Sequence, residues 1–170
     1  MSSVRTGGNG VVTLGDGVAR KRYSTWRGGG SSDAIREICA LYRFKHRAVL
    51  AMRAWGYESD GPVVTLPLCA CNLRDRLRGA GLTPHEQKCL ATNVLTAVAY
   101  VHREGFFHRD VKPDNVLCAP EAHGTAFTLA DFGTCVRHVP GKTYTIGVCT
   151  PMYAAPEMLQ GDGVYGLRVD

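Results

Sequence analysis

The chain has 170 residues, of which 45% are hydrophobic, 21% charged and 8% aromatic, proportions of a globular domain that exclude the disordered and collagen-like classes. A chain of this length buries roughly 70% of its unfolded surface, so a core forms without disulfide or metal staples, as one packed unit or two small lobes. Twenty basic residues against fifteen acidic ones leave +5, but the cations are scattered among acids, which argues against a specific nucleic-acid partner.

Val11 to Leu14 and Val18-Ala19 flank Gly15-Asp16-Gly17, the pattern of a tight hairpin. After Gly28-Gly29-Gly30-Ser31-Ser32, Ile35, Ile38, Leu41 and Tyr42 recur at helical spacing, with Ser32 or Asp33 as N-cap, and predict a helix of about three turns. Residues 48–55 and 62–68 are β-leaning runs on either side of 56–61, a second predicted hairpin. Thr83-Pro84-His85-Glu86 is a capping box with proline at the first helical position, and Leu90, Val94, Ala97, Val98 and Val101 follow on one helical face. Short strands are predicted at Val116-Leu117 and Phe127 to Ala130, before a Gly/Thr/Pro-rich segment that runs to Pro156. Strands dominate before residue 69 and helices afterwards, which divides the chain into 1–68 and 69–170 with a crevice between them, the usual place for a ligand.

The apolar runs 63–71 and 90–101 are shorter than a bilayer span near 20 residues, so no membrane helix or membrane partner is expected. Met1 is followed by Ser, Arg and Gly rather than an apolar run; without a secretory leader, an intracellular setting, cytoplasmic or nuclear, is expected. The seven cysteines contain no CxxC pair, which favours reduced cysteines serving as small apolar residues over a zinc site.

The chemistry is concentrated in His108-Arg109-Asp110-Val111-Lys112-Pro113-Asp114-Asn115, followed by Asp131-Phe132-Gly133 and Ala155-Pro156-Glu157. Any one of these Asp or Asn residues alone is an ordinary turn former. Turn formation does not require Asp, Lys and Asn at offsets 0, 2 and 5 with Asp-Phe-Gly downstream, and phosphoryl transfer does require carboxylate, cation and hard oxygen ligands held together. On these strings the sequence resembles the eukaryotic protein kinase family, and Lys112 resembles its serine/threonine branch.

The resemblance implies an α+β, two-lobed protein-kinase-like fold: a small antiparallel-sheet N-lobe with one helix, residues 1–68, and an incomplete helical C-lobe, 69–170. It implies transfer of the ATP γ-phosphoryl group to serine or threonine hydroxyls of protein substrates. Asp110 would be the catalytic base, Asn115 and Asp131 the Mg²⁺ ligands and Lys112 a cation near the moving phosphate. Gly7-Gly8-Asn9-Gly10-Val11-Val12 resembles the G-x-x-G-x-V part of the family's glycine-rich loop, with Arg5 where the first glycine would stand, so Gly7, Gly8 and Gly10 would approach the phosphates. Val18-Ala19-Arg20-Lys21 resembles the V-A-x-K strand; Lys21 would hold the α/β-phosphates and Glu37, nine residues before His46, would hold Lys21. Val12, Ala19 and Leu117 would sandwich the adenine ring against the backbone of 66–69, with Thr65 at the back of the slot.

Cys149 to Glu157 resembles the serine/threonine pattern G-T-P-x-Y-x-A-P-E, with Cys149 in place of glycine. Thr143, Tyr144 and Thr145 are candidate phosphate acceptors, and Arg109 would pair with the added charge. Tyr165 to Asp170 resembles the start of the central helix of the family's lower lobe, with Asp170 as its anchoring acid. If that support ends there, the face at Leu90, Val94 and Val98 is expected to be exposed and to favour a partner or self-association. A rival reading follows: an inactive, truncated kinase-like chain that binds nucleotide or a partner.

Overall fold

The structure, a computed structural model, describes residues 3–7, 10–23, 32–121 and 124–170. Five strands, β1 (Ser3–Gly7), β2 (Gly10–Gly15), β3 (Val18–Arg22), β4 (Ala54–Glu58) and β5 (Gly61–Pro67), form an antiparallel sheet in the order β1-β2-β3-β5-β4. The hairpin between β2 and β3 forms as the sequence predicts. Gly15 pairs with Val18, and Asp16 and Gly17 both take positive φ, 51° and 71°, the two left-handed residues that a tight turn matched to strand twist requires. Gly10, at φ 143°, is a glycine by necessity, because a Cβ there would lie 2.1 Å from the carbonyl oxygen of Arg22. Gly7 pairs with Gly10 across β1 and β2, whereas Gly8 and the stretch 28–31 lie outside the described residues.

The second hairpin is shifted from its predicted position. Residues 48–53 are not a strand; β4 begins at Ala54, and Glu58 pairs with Gly61 around a turn at Ser59-Asp60. The apolar run at 48–50 has a different task. The Leu50 amide donates to the Leu129 carbonyl at 2.9 Å and the Leu129 amide to Ala48 at 2.8 Å, which buries Ala48, Val49 and Leu50 under the sheet.

Helix α1 (Ser32–Arg43) forms over the predicted span, and two of the four residues of its predicted apolar face, Ile38 and Leu41, pack on the core. Ile35 and Tyr42 are exposed, while Ala34, Glu37, Ala40 and Leu41 are buried. A polar contact made by Glu37, described below, and the small alanines that admit close packing decide which side turns inward.

The second layer begins with β6 (Cys71–Asn72) and the short helix α2 (Leu73–Arg78), whose first turn is capped when the Asn72 side chain accepts from the Asp75 amide. Helix α3 (Pro84–Arg103) carries the full capping box, with the Glu86 amide donating to Thr83 Oγ1 and the Thr83 amide to Glu86 Oε2. Its residues Ala97 and Val101 are fully buried in the main core, with Val98 packed beside them. Leu90 and Val94 pack on a second cluster around Leu73, Val116, Cys118 and Phe127. The expected exposed face at Leu90, Val94 and Val98 is therefore partly covered, and the large apolar residue that α3 turns to solvent is Leu95.

Strand β7 (Phe106–Phe107) pairs with β10 (Val136–Arg137), and β8 (Val116–Glu121) lies between β6 and β9 (Gly124–Leu129). Helix α4 (Pro156–Leu159) plugs Met158 into a third cluster with Phe107, Tyr144 and Tyr165. The predicted helix start at 165–170 is a single 3-10 turn, Leu167–Val169. The main core joins both layers: Phe44, at the end of α1, lies 5.4 Å from the ring of Phe132 and 5.5 Å from that of Phe106. Burying one such side chain contributes about 1.5–3 kcal/mol, so Phe132 ties the segment that carries Asp131 firmly beneath α1. The architecture is α+β, with an antiparallel sheet above and helices below, as the sequence predicts.

Candidate active site

Strand periodicity selects what faces the crevice. Register places Val12 opposite Lys21 and Lys21 opposite Val64, and it aligns Leu14, Ala19 and Leu66. These residues share the inner face, because side chains alternate along a strand. Thr65 is on the other face, between Arg20 and Ala54, so it does not close the back of the slot as predicted. Leu66 does so, lining a cavity of about 260 Å³ together with Val12, Ala19, Leu50 and Leu117. The parity of Lys21 already contained this correction: an inward Lys21 requires an inward Leu66 and an outward Thr65.

Lys21 Nζ donates to Glu37 Oε2 at 2.6 Å and to Asp131 Oδ1 at 3.1 Å, so α1, β3 and the segment after β9 meet at one ammonium group. Glu37 is 2% exposed. Desolvation pushes its carboxyl above the usual range, against the attraction of Lys21. For Lys21, burial works against the charge, yet Glu37 and Asp131 outweigh it and raise the ammonium above its ordinary value. The Tyr23 ring lies 5.1 Å from the same ammonium, a cation–π contact that holds it from below.

Asp110 and Asn115 lie side by side. Asn115 Nδ2 donates to the Asp110 carbonyl at 2.8 Å and to Asp110 Oδ2 at 3.2 Å. Lys112 Nζ donates to Asp110 Oδ2 at 2.6 Å and to Thr150 Oγ1 at 2.5 Å, and the Thr150 amide donates to Asp110 Oδ1 at 2.9 Å. Burial opposes the charge of Asp110, but the bonds from Lys112 and Thr150 win and hold its carboxyl below the usual aspartate range. Asp131 takes the left-handed region at φ 61°, and the Ala130 amide before it donates to the Asn115 carbonyl at 2.8 Å. Asp110, Lys112, Lys21 and Asp131 line one crevice, into which Gly10 and Val12 also project from the sheet.

The loop bearing Asp110 is fixed from behind. Asp170, with 1% of its side chain exposed, accepts from the His108 amide and the Arg109 amide, each at 2.7 Å, and contacts His102 Nε2 at 2.8 Å. His108, fully buried, donates Nε2–H to the Ala130 carbonyl at 3.0 Å while its Nδ1 accepts from the Asp110 amide at 3.3 Å. Arg109 sits at φ 73° with Nε donating to the Thr134 carbonyl at 2.6 Å and Nη1 to the Tyr165 hydroxyl at 3.2 Å. Tyr144 differs from the prediction: it is buried, and its hydroxyl accepts from the Val139 amide at 2.7 Å, so it is not an available phosphate acceptor. Thr143 and Thr145 are exposed.

One arrangement escaped the sequence reading. Arg74, on α2, makes a two-pronged contact with Asp114 at 2.6 and 2.7 Å and donates to the Tyr153 hydroxyl at 3.2 Å. This joins the crevice rim to the loop of Asp110 and to the segment before α4. Arg74 looked like one more cation in a mixed-charge stretch, and only the tertiary partner distinguishes it.

No set of three His, Cys, Asp or Glu side chains is arranged to hold a metal among the described residues. The Asn115 amide and the Asp131 carboxylate line the same cavity, a sparse oxygen set that suits Mg²⁺, which takes one or two protein carboxylates and completes its octahedron with phosphate oxygens and water.

A family model described as protein kinase domain matches residues 10–170. The chain is 30% identical over 166 residues to cyclin-dependent kinase F-4 of Oryza sativa subsp. japonica, an alignment covering 95% of this chain and 34% of that protein. It is 33% identical over 142 residues to cyclin-dependent kinase 1 of Encephalitozoon cuniculi (strain GB-M1), covering 80% and 47%. It is 37% identical over 91 residues to maternal embryonic leucine zipper kinase of Xenopus laevis, covering 52% and 14%. The chain thus spans less than half the length of each of these relatives.

Proposed function

Because the chain belongs to the protein kinase domain family over residues 10–170, we propose that it transfers the γ-phosphoryl group of ATP, with Mg²⁺, to serine and threonine hydroxyls of protein substrates. The observation that supports this most is the convergence of Lys21, Asp110, Lys112 and Asp131 on one crevice. In this reading the adenine lies between Val12 and Ala19 above and Leu117 below, an apolar slot closed by Leu66. Gly7 and Gly10 let backbone approach the phosphates. Lys21, held by Glu37, neutralises the phosphate oxygens.

Asn115 and Asp131 would hold the cation, which supplies charge neutralisation for the transferring group. Asp110 orients the substrate hydroxyl and accepts its proton; its carboxyl, held below the usual range, is ionised at neutral pH and ready to do so. Lys112 reaches both Asp110 and Thr150, so it both pins the base and presents a cation where the phosphoryl group moves. In a loose transition state the protein contributes alignment and charge rather than a covalent step.

The test is incorporation of label from γ-labelled ATP with Mg²⁺ into a generic protein substrate, followed by identification of the phosphorylated amino acids. Label on serine and threonine, lost in Lys21→Met, supports the reading. Absence of transfer by the wild-type chain alongside measurable ATP binding overturns it in favour of a nucleotide- or partner-binding module.

A further inference from the structure

All seven cysteines are free; Cys69 and Cys71 line the nucleotide cavity, and Cys118 lies on the strand beside Cys71. Cys71 on β6 is the direct register partner of Cys118 on β8. Opposed residues of antiparallel strands have Cα atoms ~4.5 or ~5.5 Å apart, and both spacings lie within the ~4.4–6.8 Å that a disulfide bridges. Their side chains leave the same face of the ladder. Cys71 is half-buried and borders the cavity, whereas Cys118 is buried beneath it in the cluster of Leu73, Val116 and Phe127. Nothing in the phosphoryl-transfer chemistry uses either thiol.

We propose that Cys71 and Cys118 form an oxidation site, closed to a cross-strand disulfide by hydrogen peroxide and reopened by thiol reductants. Cys71, the accessible partner, attacks the peroxide O–O bond as thiolate, giving a sulfenic acid and releasing water. The Cys118 sulfur then attacks the sulfenic sulfur, the S–S bond forms, and a second water leaves; two thiols lose two electrons and two protons to the peroxide. The partner sulfur stands directly opposite, and burial, which pushes the Cys118 thiol up to about 12, makes its attack on the sulfenic sulfur the slow step. Asn72 and Leu117, the next register pair, both line the cavity. The covalent link therefore fixes the spacing of the cavity's rim strand and its floor.

The experiment treats the full chain with stoichiometric hydrogen peroxide, alkylates remaining thiols and maps peptides without reduction. The expected result is a mass loss of about two daltons, a 71–118 cross-linked peptide and full reversal by dithiothreitol. Cys71→Ser and Cys118→Ala should each abolish that peptide. Cys71 is the safer variant for folding, and the wild-type map alone is decisive if Cys118→Ala does not fold. Oxidation confined to Cys39 or Cys89, a Cys69–Cys71 link, or irreversible sulfinic acid at Cys71 would each overturn the proposal. The readout is thiol chemistry, so it stands or falls independently of whether the chain transfers phosphate.

Discussion

Replacing Asp170 with alanine removes the acceptor that holds the loop of Asp110 from behind. Its two carboxylate oxygens take the His108 and Arg109 amides at 2.7 Å each, in a position where 1% of the side chain is exposed. Each of those amides is left buried without a partner at about 1–3 kcal/mol, so the pair amounts to about 4 kcal/mol. The left-handed Arg109, at φ 73°, carries about 1–3 kcal/mol of strain that only its surroundings sustain, and releasing its amide lets that loop relax. With an m-value of about 2 kcal/mol/M in urea, Asp170→Ala should lower the midpoint by about 2 M. Asp170→Asn, which retains one acceptor oxygen, should cost roughly half as much. Urea unfolding followed by tryptophan fluorescence and far-UV circular dichroism measures both. A loss below about 1 kcal/mol for the alanine variant would refute the reasoning, because it would mean that water or an alternative acceptor replaces the carboxylate freely.

A double-mutant cycle at Lys21 and Glu37 should give a coupling energy of about 1–3 kcal/mol, since Lys21→Met leaves Glu37 buried without its cation; additive unfolding energies of Lys21→Met, Glu37→Leu and the pair would contradict the buried ion pair. In the proposed mechanism Asp110 acts ionised, so rate falls as pH drops through its pKa. Lys112→Met removes a bond that lowers that pKa, and the acid limb of its rate–pH profile should move to higher pH than in the wild type, whereas an unmoved limb would separate Lys112 from the base. Glu86 has its carboxyl held down to about 2, first by the Thr83 amide and then by the Thr125 hydroxyl. Its contribution is present above the ordinary carboxylate range and lost as pH falls towards 2. Thr125→Val should therefore lose less stability than the wild type between pH 5 and pH 3 in urea titrations, and identical slopes would show that this bond does not set the titration.

The sequence was most informative where geometry is local or the chemistry is dense. The hairpin at Asp16-Gly17 and the capping box at Thr83 and Glu86 are each decided within a few residues, and both formed as expected. Asp110, Lys112 and Asn115 are close in the chain, so one loop suffices to bring them together. The inward face of α1 was legible in part: Ile38 and Leu41 pack on the core and Glu37 turns in to meet Lys21 as the resemblance implied, while Ile35 and Tyr42 face out. The apolar run at 48–50 resembled a strand because burial under Leu129 and burial in a sheet demand the same composition. Thr65 was misplaced by one register position, which on a strand is the whole difference between the cavity and the outer surface. Arg74 was not legible at all, since its partners Asp114 and Tyr153 are 40 and 79 residues away.

The most direct measurement compares wild type with Asp110→Asn in two assays on the same preparation: affinity for Mg²⁺-bound ATP, and the rate of γ-phosphoryl transfer to a serine-containing peptide. The account predicts affinities within about twofold and a transfer rate lower by about 10²–10⁴-fold in the variant, the usual contribution of a positioned general base. Equal transfer rates in the two proteins would contradict it, since the carboxylate at the centre of the crevice would then have no part in the chemistry.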